Sequence, residues 1–148
     1  FRYEDPQRKL NDRGLQSFRW VPNGIPGVEP RLPILFSEGV VKGRISLNNF
    51  VAMTSTNHAK LYGLYPRKGS IAVGADADIA IWDPAAQRTI AQKDLHHGAD
   101  YTPYEGLRVT GWPVQVIMGG KVVAENGALA TSGPAGSYLS RGRSGLCA

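Results

Sequence analysis

Two hydrophobic periods divide the chain. Over residues 31–64 apolar positions fall three and four apart, as on one face of a helix. Leu32, Leu35, Phe36, Val40 and Val41 trace a broken amphipathic stripe ending near Lys42 and Gly43, where the glycine suits a C-terminal cap. Ser46 is a good N-cap, and Leu47, Phe50, Val51 and Thr54 follow on one face of a second helix. Thr56 or Asn57 can cap a third, short helix through Tyr62, closed by Gly63 and Pro66.

Past residue 66 the period becomes two. Ser70-Ile71-Ala72-Val73 reads as a short strand and Gly74-Ala75-Asp76 as a turn. Asp78-Ile79-Ala80-Ile81-Trp82-Asp83 reads as a second strand stopped by Pro84, and Arg88-Thr89-Ile90-Ala91 as a third. Two apolar runs, Pro113 to Met118 and Lys121 to Ala124, flank Gly119-Gly120, a strong hairpin signal. Gly127-Ala128-Leu129-Ala130 can add an edge, and residues 131–148 form a Gly/Ser-rich basic arm. Residues 1–30 read as irregular. Pro22, Pro26 and Pro30 with Gly24 and Gly27 forbid a continuous helix there, and Asn23-Gly24 is a strong turn signal. Two or three amphipathic helices need a surface to cover them, and none is evident in this chain.

Composition adds limits. The chain has 148 residues, 42% of them hydrophobic and 20% charged, enough for a core and against wholesale disorder. The net charge of +5 comes from scattered basic residues without aromatic interleaving, so no nucleic-acid partner is expected. No apolar run approaches the roughly 18 residues of a membrane span, so no membrane partner is expected. The first residues are polar, and no leader is expected there. The chain begins with Phe1 instead of Met, as a processed chain or a fragment does. The single cysteine, Cys147, makes no internal disulfide and fits a reducing cytoplasm.

Candidate chemistry is sparse. His96 and His97 are adjacent and would point to opposite faces of a strand, a poor chelating geometry. His58 has no acidic or histidine neighbour in sequence, and no HxH or HxxxH pair occurs. Asp76 and Asp78 share a face if extended, but turn capping accounts for them. Cys147 sits too near the end to be a promising nucleophile. Neither a GxSxG elbow, a P-loop nor GxGxxG is present. From residue types alone the chain has no catalytic and no metal-binding constellation.

An ordered set of motifs nevertheless points elsewhere. Pro22-Asn23-Gly24-Ile25-Pro26-Gly27-Val28-Glu29 resembles a substrate-side loop of the dihydropyrimidinase/hydantoinase family of cyclic amidohydrolases. So do Thr54-Ser55-Thr56-Asn57-His58-Ala59-Lys60-Leu61-Tyr62-Gly63-Leu64-Tyr65-Pro66-Arg67-Lys68-Gly69 and the run from Ile71 to Pro84. His96-His97 to Tyr101, Tyr104-Glu105-Gly106 and Val109-Thr110-Gly111-Trp112-Pro113-Val114 continue the match over nearly the whole chain. His58 departs from the family, which more often has a small residue or proline there, and the stretch from Arg2 to Arg19 is a few residues longer than usual.

The resemblance, most like bacterial D-hydantoinase, implies an α/β chain: the C-terminal fragment of a TIM-like (β/α)8 amidohydrolase barrel plus part of a small β-sandwich. Residues 1–66 would be the last loop and helices of the barrel, 67–130 the C-terminal share of the sandwich, and 131–148 a C-terminal arm. It implies two zinc ions in the whole enzyme, with all ligands upstream. The last ligand belongs to an Asp-His-x-x-Phe motif whose final residue Phe1 resembles. It implies a small cyclic amide or imide as substrate, such as a dihydropyrimidine or a 5-substituted hydantoin. A homo-oligomer, tetramer or dimer, and a cytoplasmic location are also implied. One site residue carries over: Asn23, at the position whose main chain hydrogen-bonds the cyclic imide. Some relatives are non-catalytic scaffolds that keep the fold and lose the metal ligands, which is the alternative reading. A third is an independent β-rich binding module.

Overall fold

The computed structural model describes residues 12–21, 23–130 and 136–144. Phe1, Pro22 and Cys147, each singled out above, lie outside these. The described chain is mixed α/β, with short helices first and a small antiparallel sheet second. The helices are α1 (Asp12–Gln16), α2 (Val28–Leu35), α3 (Leu47–Val51) and α4 (Asn57–Leu61). The strands are β1 (Ile79–Thr89), β2 (Arg108–Met118), β3 (Lys121–Glu125) and β4 (Ala128–Leu129), in spatial order β1-β2-β3-β4.

Helix α2 starts three residues before the expected position, inside the proline-rich stretch. Pro30 stands in its first turn, where a missing N–H removes a donor that has no intrahelical acceptor anyway. Pro33 lies deeper, and directly after α2 the chain widens into π turns over Phe36–Val41. The buried stripe is Pro30, Pro33, Phe36, Ser37 and Gly39, whereas Leu32 and Leu35, the expected inner residues, are half-buried. Gly43 ends this segment at φ +68°, as a C-terminal cap requires.

Ser46 caps α3 as expected, its Oγ accepting the Asn49 N–H at 3.1 Å. The second and third expected helices are one. From α3 the chain passes through widened turns at Ala52–Thr56 directly into α4, with no new cap at Thr56 or Asn57. Thr54 Oγ1 donates back to the Phe50 carbonyl at 2.8 Å, a competition that loosens helical turns. Thr56 Oγ1 instead donates to the Gly69 carbonyl at 2.7 Å and ties this helix to the following loop. On the expected apolar face Phe50 is buried, but Leu47 and Val51 are exposed.

The expected strand at residues 70–73 is a turn, in which the Ala75 N–H reaches the Ala72 carbonyl and the Asp76 N–H reaches Arg67. Its apolar side chains, Ile71 and Val73, are fully exposed. Strand β1 does not stop at Pro84. Its pairing to β2 slips between Asp83 and Gln87, which loops the proline out of the ladder, and the strand resumes through Arg88 and Thr89. The expected second and third strands are therefore one bulged strand. The Gly119-Gly120 hairpin is as expected, Met118 pairing with Lys121, and β4 supplies the expected edge.

One aromatic cluster joins the two layers. Phe36 and Phe50 meet edge to face at 5.4 Å, and Trp82 of β1 stacks on Phe36 at 5.3 Å. Gly111 of β2 lies beneath the same Phe36 ring at φ +93°, and a Cβ there would overlap the ring. Beside it, Ser37 Oγ accepts the Thr110 N–H at 3.1 Å. Further along the chain, the Gly142 N–H donates to the Gly63 carbonyl at 2.8 Å.

Candidate functional site

The turn signal at Asn23-Gly24 belongs to a loop that feeds straight into α2. Asn23 is exposed, and Gly24 adopts φ +93°, which a side chain would oppose. The loop's exit faces one connection of the sheet. Gly27 lies against the Tyr104 ring, which a Cβ at that position would touch at 3.5 Å. Two residues on, in the first turn of α2, both carboxylate oxygens of Glu29 engage His96. Oε2 accepts the His96 backbone N–H at 2.7 Å, and Oε1 lies 2.9 Å from Nδ1. The hydrogen bond and the negative charge of Glu29 together hold the His96 pKa above its ordinary 6.5.

Tyr104 and His96 both belong to the connection between β1 and β2, and that connection is braced from within. Glu105 accepts the Gln92 N–H at 2.7 Å, and the Gln92 amide donates to the Ala99 carbonyl at 2.7 Å. The Ile90 N–H bonds Leu107, and the Gly106 N–H bonds Ile90. His97 Nδ1 accepts the Ala99 N–H at 3.1 Å, which places its ring proton on Nε2. The two adjacent histidines therefore serve two different anchors. Beneath the Glu29–His96 pair lies a cavity of about 650 Å³, mostly apolar, whose wall includes Pro33, Trp112, Val116 and Leu129.

The other polar candidates stay apart from this loop. His58 is exposed on α4, its ring stacked with Tyr62. Lys68 bridges Asp76, at 2.9 Å, and Asp78, while Arg67 adds a second contact to Asp76. Asp78 Oδ1 also accepts the Gly119 N–H at 2.8 Å, so this cluster fastens the start of β1 to the hairpin turn. Hydrogen bonds from Lys68 hold both carboxyls below their ordinary 3.8. Among the described residues no three or more His, Cys, Asp or Glu side chains converge as a metal site would require. None of the described helices is long and apolar enough to cross a membrane.

Sequence reasoning selected Asn23 and missed the apparatus around it. Glu29 and Tyr104 stand in the quoted motifs, yet no local pattern ties Glu29 to a histidine 67 positions away. Glu29 fell in a stretch read as irregular, where a lone acidic residue suggests only a solvated surface position.

Residues 31–123 match the Amidohydrolase family, more than half of the chain, and the chain belongs to that family. Within it the similarity is to hydantoinases and dihydropyrimidinases. D-hydantoinase from Ralstonia pickettii is 47% identical over 130 residues, 88% of this chain and 28% of that protein. The solved dihydropyrimidinase from Brevibacillus agri NCHU1002 superposes with a TM-score of 0.78 at 48% identity, over 88% of this chain and 27% of that one. Dihydropyrimidinase-related protein 5 from Homo sapiens is 45% identical over 119 residues, 80% of this chain and 21% of that protein. The chain thus spans under a third of the length of each.

Proposed function

We propose that this chain is part of a hydrolase that opens the ring of cyclic amides and imides, dihydropyrimidines or 5-substituted hydantoins among them. The observation that carries the reading is the similarity to D-hydantoinases along almost the whole chain, including the anchored loop at residues 23–27. Family membership implies a TIM-barrel-type fold for the whole protein. In this reading residues 1–66 complete the barrel, 67–130 contribute to a small β-sandwich, and 131–148 form a contact arm in a dimer or tetramer. A cytoplasmic location fits the same reading.

The family resemblance calls for two zinc ions, but His58, His96 and His97 do not converge, and no donor group of sufficient size exists among the described residues. No metal step is therefore assigned to this chain. Its contribution is recognition. A cyclic imide presents an N–H beside C=O groups, and a backbone edge offers the complementary pair. Asn23, next to the left-handed Gly24, is the residue we assign to that contact, through its main chain.

The test is ring opening by the full-length protein that carries this chain. Purified with its metal, it should consume dihydrouracil and hydantoin and release the N-carbamoyl acids. Asn23→Ala should keep kcat/KM within about tenfold, because the backbone survives, while Asn23→Pro, which deletes the N–H, should lose far more. A native product that binds no metal and opens neither ring would favour the scaffold reading.

A further inference from the structure

We propose that Glu29 and His96 form a positioning clamp that sets the residue 23–27 backbone at the height and angle a cyclic substrate needs. The proposal rests on the substrate-loop reading above. Three features of the geometry point to a clamp and not to an incidental surface pair. First, both Glu29 oxygens are used on one residue, and one of them takes a main-chain N–H, so the carboxylate grips the backbone of the 92–107 connection as well as a side chain. Second, the grip comes two residues after Gly27, where the loop becomes helix, and any shift there tilts the whole loop. Third, the receiving connection is rigid, cross-braced by Glu105, Gln92 and Ala99. Tyr104 of the same connection stands beside Gly27, close enough that an added methyl there would touch its ring.

The pair bridges segments far apart in sequence, a separation of 67 residues. It stands on the wall of an apolar cavity whose other titratable group is Glu125 of β3. The Gly127 backbone, on the same wall, favours the imidazolium in the same direction as Glu29. Glu29 and His96 act through the backbone they hold, so they are positioning residues and need not touch the substrate.

The experiment uses the full-length protein with its metal and dihydrouracil and hydantoin as substrates. Glu29→Ala should lower kcat/KM about tenfold or more, mostly through KM, since a misplaced loop weakens contacts made on binding. Glu29→Gln keeps an acceptor for the backbone N–H and should fall in between. Lys42→Met, which breaks an exposed pair with Glu38 elsewhere, is the control and should behave as the parent. Two readouts do not need activity. The His96 imidazole, followed by NMR, should titrate above 6.5 in the parent and move back toward it in Glu29→Gln. Amide exchange at residues 23–27 should quicken in the same variant. If the parent opens neither ring while these readouts behave as stated, the functional reading fails and the clamp geometry stands. An active parent whose Glu29→Gln and Glu29→Ala variants keep kcat/KM within about twofold would overturn the clamp, as would unchanged exchange at residues 23–27. If Glu29→Ala does not fold, Glu29→Gln and the exchange measurement still decide.

Discussion

The sheet and the helical layer are held together in opposite ways. Strands β1 to β4 follow one another in order and are joined by antiparallel ladders, and the β2–β3 turn is fixed by Gly119-Gly120 and by Asp78 at the Gly119 amide. Most of what the sheet needs is therefore supplied by its own ladders. The helical layer has little of that kind. Its wide turns, prolines and exposed Leu47 and Val51 leave it dependent on one aromatic junction, Phe36 with Phe50 and Trp82, and on polar grips such as Ser37 to Thr110. A layer held at a few points can be oriented sharply by those points, which suits an element that presents a binding loop.

The largest test of this contrast removes the junction. Phe36→Ala should cost about 3–5 kcal/mol, because the ring contacts partners in both layers and leaves a cavity between them. Thermal unfolding of the full-length protein should show it, and hydrogen exchange should open α2 and α3 well before the β2–β3 hairpin. Equal opening of both layers would mean that the sheet is no more self-sufficient than the helices. Gly111→Ala attacks the same junction from the sheet side. The new methyl would overlap Phe36 and oppose a backbone at φ +93°, so a loss of about 2–4 kcal/mol is expected, combining overpacking with left-handed strain. Ser46→Ala deletes a single N-cap and should cost about 1 kcal/mol, felt in α3 alone.

These sites also show what could be read in advance. Ser46, Gly43 and Gly119-Gly120 were legible because a cap or a tight turn is decided by the residue that makes it. Proline misled twice. In the first turn of α2 it cost no hydrogen bond, and in β1 a bulge carried it out of the ladder, so neither element ended where its proline suggested. Of the buried stripe through α2 and the turns after it only Phe36 was visible, because prolines, a serine and a glycine supply the rest, and a hydrophobicity pattern gives those residues little weight. Ile71 and Val73 looked like a strand, but among the described residues no neighbouring strand is offered to them, and a strand without a ladder has no reason to form. At the candidate site Asn23 was visible as turn chemistry and through resemblance. Glu29 with His96 was not, since nothing in a linear pattern reports a contact across 67 residues.

The smallest effect separates the two layers by pH. In the sheet, Asp76 and Asp78 have pKa values pushed below 3.8, chiefly by hydrogen bonds from Lys68, whose own value those aspartates push above 10.5. A depressed carboxyl contributes stability that is present above its unfolded pKa and is lost as pH falls through the folded value. A raised lysine keeps its contribution until pH climbs through the folded value. The sheet fastening is therefore constant across the neutral range. The helical grip is not. His96 is raised above 6.5 by Glu29, so its contribution is complete below 6.5 and disappears as pH rises through the raised value. Exposed pairs contribute little to global stability, so Tm should scarcely move between about pH 5 and pH 9 on their account. Local exchange should move. Amides at residues 23–27 should lose protection over that interval, while the Gly119 amide held by Asp78 should keep its own, after correction for the intrinsic pH dependence of exchange. Lys68→Met should loosen the hairpin fastening evenly across that interval without touching the loop. Loss of protection in both places together would show that the two fastenings are coupled and that the helical layer has no independent point of adjustment.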